Sequence, residues 1–222
     1  MLLKINERLH YHGFFLGVLK QSDSLRKVLE FSNSFLEGAP VDGFTLEEKY
    51  KDTLDVKPDV IYSQPYFVNI LKENFILDII EENIGIEYSL SAIQVRLAKD
   101  SYMPWHRDSY MYDGVCVGKT PPGYKMIIYP NREQSAPRLG LIPGSHLQQK
   151  YTPEQDTSQV FSESPIQIMS GNDRYVFFNT SLVHGTLDND EEESVRIIYN
   201  FAKPNQMDEE ETSTCRKFRE LL

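Results

Sequence analysis

Helical spacing in the first third and strand alternation in the rest predict a mainly β domain, a sandwich or barrel, packed against an N-terminal helical layer. Three observations predict it. Apolar residues recur at i, i+3, i+4 spacing in two stretches before residue 88. From residue 89 the period changes to alternation, and short β-rich runs follow one another with Pro, Gly and Asn between them. The chain has 222 residues, 40 % hydrophobic and 12 % aromatic, which suits one domain with a sizeable core. A jelly roll is one member of that β class.

The elements follow in order. "SDSLRKVLEFSNSFLEG" opens on cap-type residues, carries Leu25, Val28, Leu29 and Phe35 at helical spacing, and stops at Gly38. "QPYFVNILKENFILDIIEENIG" repeats the pattern through Phe67, Ile70, Leu71, Phe75, Leu77, Ile80 and Ile84, with a break expected near Asn74 and an end at Gly85. "SLSAIQVRLAK" then alternates: Ala92, Gln94 and Arg96 on one face, Ile93, Val95 and Leu97 on the other. "GYKMIIYPN", "RLGLIPGSH", "PIQIMSGND", "RYVFFNTSLVHGT" and "SVRIIYNFA" supply the remaining strands. Residues 1–88 are therefore expected as a largely helical wall and 89–203 as the β core, with 204–222 a helical C-terminal tail. Segments 109–123 and 147–165 are long, polar and turn-rich, and are expected as either a lid or plain surface excursions.

Composition narrows the function. Lys and Arg number 23 against 33 Asp and Glu, a formal charge of −10, with no basic stripe, so nucleic acid is not an expected partner. Nowhere are there the roughly 20 consecutive apolar residues of a membrane span. The N-terminal stretch also lacks a signal-peptide pattern. Two cysteines, Cys116 and Cys215, without C-x-x-C spacing, fit a reduced, cytoplasmic setting.

The five histidines separate by context. His10 and His12 form an H-x-H ahead of any strand and are read as exposed; His146, in "PGSH", is read as structural or part of a lid. "WHRD" differs, because residues i and i+2 of an extended segment point the same way. His106 and Asp108 can then share one cation while Arg107 turns outward. His184, at the end of "FFNTSLVHGT", offers a third ligand late in the same β core. Two imidazoles and one carboxylate on one face, with open positions opposite, suit non-haem Fe(II). Arg196 lies on the apolar strand "SVRIIYNFA". On the inner face it needs an anionic partner, such as the far carboxylate of a dicarboxylic co-substrate. On the outer face it would pair with Glu191–Glu193.

Taken together and in order, these pieces resemble the phytanoyl-CoA dioxygenase-like family of Fe(II)/2-oxoglutarate oxygenases. The resemblance covers residues 62–201 and is most specific at W-H-x-D, P-G-S-H and H-G-T followed by the distal arginine. It implies a double-stranded β-helix (a cupin-like jelly roll) and an oxygenase that uses Fe(II), 2-oxoglutarate and O2. His106, Asp108 and His184 would ligate iron, and Arg196 with Thr186 would hold the distal carboxylate of 2-oxoglutarate. Gln94 would meet its other end. Tyr124 is the further candidate there, replaced by Lys125 if the strand register shifts by one. Two departures stand out: the His184–Arg196 gap is one residue longer than the family spacing, and Ile198 stands where some related oxygenases carry serine. Asp108 is present where halogenating relatives have a small residue. The implied substrate is a small-molecule metabolite or natural-product intermediate. The rival expectations are a cupin-type metalloenzyme that uses no keto acid and a binding protein that kept the fold.

Overall fold

A computed structural model describes residues 4–36, 46–47, 53–85, 87–99, 105–109, 111–112, 115–116, 122–130, 137–147, 166–169, 173–186 and 193–206. The helical layer holds α1 (Ile5–Tyr11), α2 (Asp23–Leu36), α3 (Pro58–Tyr62), α4 (Tyr66–Glu73) and α5 (Ile76–Ile84). α2 forms where the apolar spacing predicts it. The Ser22 hydroxyl accepts the Leu25 N–H at the start, and Leu25, Val28 and Phe35 are buried. The expected break near Asn74 falls between α4 and α5. There Asn74 turns its side chain back onto the Ile70 carbonyl, and Phe75 takes a left-handed backbone with φ 55°. No described helix is long and apolar enough to cross a membrane.

Twelve described strands complete the element list: β1 (Phe14–Val18), β2 (Leu46–Glu47), β3 (Thr53–Val56), β4 (Ser89–Lys99), β5 (Met111–Tyr112), β6 (Val115–Cys116), β7 (Tyr124–Ile128), β8 (Pro137–Leu141), β9 (Ile166–Met169), β10 (Arg174–Asn179), β11 (His184–Thr186) and β12 (Glu193–Ala202). Seven make one antiparallel sheet in the order β1-β10-β7-β12-β4-β3-β2; a second has the order β11-β8-β9, and β5-β6 pair alone.

Each face of the large sheet has its own core. Ile93, Val95, Ile128, Phe177, Ile197 and Tyr199 meet helical residues such as Val28, Phe67 and Leu71. Ile127, Val176, Phe178 and Ile198, from the opposite face, meet Leu139, Leu141 and Leu182 beside the small sheet. β12 therefore reads as a nearly continuous apolar run because both of its faces are covered.

The first 88 residues contribute more than helices. β1 pairs with β10 through Phe14↔Phe178, and β3 pairs with β4 through Leu54↔Leu97. These short strands are stabilised by distant partners, which a local apolar period cannot report. The expected C-terminal helix at 204–222 lies outside the described residues, apart from a 3-10 turn at Pro204–Gln206. Segment 147–165 lies outside them too, apart from Leu147, and of 109–123 only Ser109, the β5–β6 hairpin and residues 122–123 fall inside.

Candidate metal centre

A cavity sits between the two sheets. It has a volume of about 290 Å³ and is lined by His106, Asp108, His184, Arg196, Thr186 and Gln94 among others. The other residue named from the sequence, Tyr124, also borders it.

Two segments deliver the ligands. His106 and His184 exchange backbone hydrogen bonds at 2.8 and 2.9 Å, which adds the His-Arg-Asp segment to the edge of β11. The Thr180 carbonyl accepts the N–H groups of Asp108 and Ser109, at 3.0 and 3.1 Å. The Thr180 hydroxyl also accepts the Gly123 N–H at 2.8 Å, which ties the start of β7 to the same turn. One ligand atom from each of His106, Asp108 and His184 lies within 4.8 Å of the others. Nε2 of His106 is 3.7 Å from Asp108 Oδ1, and Nε2 of His184 is 3.4 Å from Oδ2.

The protonation states suit a cation. Nδ1 of His184 is 2.8 Å from the Leu182 carbonyl, which can only accept, so Nδ1 carries the proton and Nε2 presents a lone pair. Burial, then the neighbouring His106, pushes the His184 pKa down to about 3, so the ring is neutral near pH 7. Burial works to raise the Asp108 pKa but is outweighed by the charge of Lys125, then by His184 and His106, which hold it far below the usual carboxylate range. Asp108 Oδ2 is buried and makes no hydrogen bond among the described residues. A buried carboxylate oxygen so placed, beside two imidazole nitrogens, is a donor set that fits a divalent metal.

At the other end of the cavity Arg196 is 1 % exposed, which removes the surface alternative. Its guanidinium carbon stands 5.9 Å from the Tyr129 ring centroid. Directly across the ladder is Arg96. Arg96 is itself held by Asp55 of β3 in a bidentate pair, Nε–Oδ1 2.6 Å and Nη2–Oδ2 2.7 Å. Thr186 borders the same cavity from β11, and Gln94 from β4.

Two expectations need correction or completion. On β7 the register puts Lys125, not Tyr124, on the ligand side. Lys125 Nζ is 2.8 Å from Asp108 Oδ1, while the Tyr124 ring turns to the helical side, stacks on Phe177 at 5.5 Å and meets Tyr88 edge-on. Arg107 faces away from the ligands as expected but not into water. It is 6 % exposed and donates through Nη1 to the carbonyls of Ser145 and Ser181. Trp105, just before the His-Arg-Asp segment, packs against Ile142 and Val183. His10 and His12 are exposed, as expected, and Nε2 of His146 contacts the His10 carbonyl at 3.0 Å. The Asp55–Arg96 pair was not anticipated, although Arg96 shares the face of Gln94 two residues on.

No protein-family model and no curated protein sequence matches this chain. Solved structures do. HygX from Streptomyces hygroscopicus, crystallised with nickel, 2-oxoglutarate and hygromycin B, superposes with a TM-score of 0.61 at 17 % identity, over 88 % of this chain and 84 % of HygX. EctD from S. alaskensis with bound Fe gives 0.59 at 14 % identity, over 90 % of this chain and 76 % of EctD. SnoK, a non-heme alpha-ketoglutarate-dependent carbocyclase from nogalamycin biosynthesis, gives 0.63 at 10 % identity, over 90 % and 83 %. A further match, EvdMO1, is about twice as long, and this chain covers 49 % of it. At these identities the likeness establishes a shared fold.

Proposed function

We propose that the chain is an Fe(II)- and 2-oxoglutarate-dependent oxygenase of the phytanoyl-CoA dioxygenase-like kind, built on a jelly roll. It uses O2 to oxidise an unactivated C–H bond of a small-molecule metabolite or natural-product intermediate, with release of succinate and CO2. The observation that carries the reading is one cavity holding His106, Asp108 and His184 together with a buried arginine. HygX, crystallised with nickel and 2-oxoglutarate, and EctD, crystallised with Fe, have the same fold and support it. Two cysteines and the acidic composition fit a cytoplasmic enzyme that meets neither nucleic acid nor membrane.

Each residue has a task. His106 and His184 give imidazole nitrogens, and Asp108 gives the buried Oδ2. Arg196 offers a planar guanidinium that grips the distal carboxylate of 2-oxoglutarate, assisted by the Thr186 hydroxyl. Gln94 and Lys125 stand where the keto-acid end would lie, and Lys125 replaces Tyr124 in that role. Lys125 lies on β7 and Tyr129 one residue past its end, about 13 Å apart along extended chain, which leaves length for a five-carbon diacid between metal and arginine. Iron bound here supplies O2 activation and C–H oxidation, while the walls fix geometry and exclude water.

A cupin-type enzyme without a keto acid has no use for a buried arginine at the far end of the cavity. The test is turnover under air with Fe(II): succinate must accumulate from 2-oxoglutarate. Metal-dependent turnover that consumes no 2-oxoglutarate would instead support the cupin reading.

A further inference from the structure

We propose that Arg107 is a positioning residue, a latch that sets the spacing between the two segments bearing the metal ligands. The proposal rests on the reading that His106, Asp108 and His184 hold a metal. In an extended segment residues 106 and 108 face one way and 107 the other. Rotation of that segment about its own axis would swing both ligands together. The backbone bridges from His106 to His184, and from Asp108 and Ser109 to the Thr180 carbonyl, lie near that axis and resist such rotation poorly. An anchor on the opposite side resists it well.

Arg107 is that anchor. Nη1 donates to the Ser145 carbonyl at 2.7 Å and to the Ser181 carbonyl, 74 residues further along the chain than Arg107 itself. Ser181 belongs to the turn that leads into His184. Ser145 reaches the same place from the other side: its hydroxyl accepts the Val183 N–H at 2.8 Å and donates to the Ile142 carbonyl at 2.7 Å. The Ile142 N–H donates to the Val183 carbonyl at 3.0 Å. The guanidinium therefore connects the His106–Asp108 segment to both flanks of the peptide before His184. A desolvated arginine is a costly means of stabilising a turn, and an apolar side chain of similar volume would often serve stability as well. Fixed orientation is what one guanidinium nitrogen donating to both carbonyls adds. Outer-shell contacts of this kind are worth about 10–100-fold in metal affinity.

The experiment compares the full-length wild type with Arg107→Met by calorimetric titration with Ni(II). Amide hydrogen exchange of the metal-free proteins is measured alongside. The latch predicts Ni(II) binding weakened about 10–100-fold. It also predicts faster exchange at His106, Asp108, Val183 and His184, with the β4–β12 ladder unchanged. Ni(II) affinity within about threefold of wild type, or unchanged exchange at those four amides, overturns it. A structural role alone would lower stability while leaving the Ni(II) affinity of the folded protein intact. If Arg107→Met does not fold, Arg107→Lys decides: it keeps the charge but not the planar fork, and a loss of about 3–10-fold is expected, with equality to wild type overturning the proposal. A wild type that binds no Ni(II) refutes the metal reading, and the exchange comparison still decides the latch.

Discussion

The ammonium of Lys125 stands 2.8 Å from Oδ1 of Asp108, so a lysine of the large sheet touches a carboxylate delivered by the edge of the small one. This contact fixes which residue of β7 faces the site. Lys125 pairs with Phe178 and Asn200, while Tyr124 falls on the helical side. Replacing Tyr124 by Phe should change the 2-oxoglutarate concentration for half-maximal succinate release by no more than about twofold. Lys125→Met should raise it about 10-fold or more, the worth of one charge-assisted hydrogen bond. The reverse order would place Tyr124 at the site.

Arg196→Leu removes a buried guanidinium from the end of the cavity away from the histidines. The requirement for 2-oxoglutarate should rise about 100-fold or more, since two charge-assisted hydrogen bonds are lost. Metal content, measured by atomic absorption on the same samples, should stay near normal. Parallel loss of metal would assign the arginine a structural role.

Gly185 follows a ligand directly, and its backbone runs against Trp105. A Cβ built there would lie 3.0 Å from Trp105 Cα and 3.1 Å from its ring. Gly185→Ala must therefore push Trp105, and the neighbouring His106 with it. The expected cost is about 1–3 kcal/mol of stability from overpacking. Weaker Ni(II) binding should accompany it. Denaturant unfolding and metal titration measure the two, and wild-type values for both would show that the contact yields freely.

Two buried tyrosines, Tyr175 and Tyr199, and two half-buried ones, Tyr66 and Tyr124, give the fold an alkaline limit. Burial raises the pKa of Tyr66, Tyr124 and Tyr175 to about 12, and that of Tyr199 further still. Between pH 10 and 12 the unfolded chain releases phenolic protons that the folded chain keeps, so stability is complete below pH 10 and falls as pH rises above it. Urea midpoints should be flat from pH 8 to 9 and drop from pH 10 onward. Tyr199→Phe, which also loses the 3.0 Å bond to the Phe67 carbonyl, should shallow that drop. A flat profile through pH 11 would contradict the assignment.

Much of the site was legible because strand alternation maps directly onto faces. Ile93, Val95 and Leu97 point to the helices, and Ala92, Gln94 and Arg96 line the cavity, as the alternating letters require. His106 and Asp108 share a side for the same reason. What escaped depends on partners far along the chain. The choice between Tyr124 and Lys125 is a one-residue register, set by the Thr180 turn that grips Gly123 rather than by any local pattern. β1 exists because Phe14 finds Phe178, and a short run interrupted by Gly17 does not announce that. The burial of Arg107 escaped because an arginine between two ligands reads as solvent-facing until the Ser145 and Ser181 carbonyls are seen to cover it.

The most direct measurement is the visible spectrum of the Fe(II)-loaded protein under argon as 2-oxoglutarate is added. A keto acid chelating iron on His106, Asp108 and His184 predicts a weak charge-transfer band that saturates with 2-oxoglutarate in the wild type and is lost in Asp108→Ala. No band at saturating keto acid, together with no succinate under air, would contradict the account.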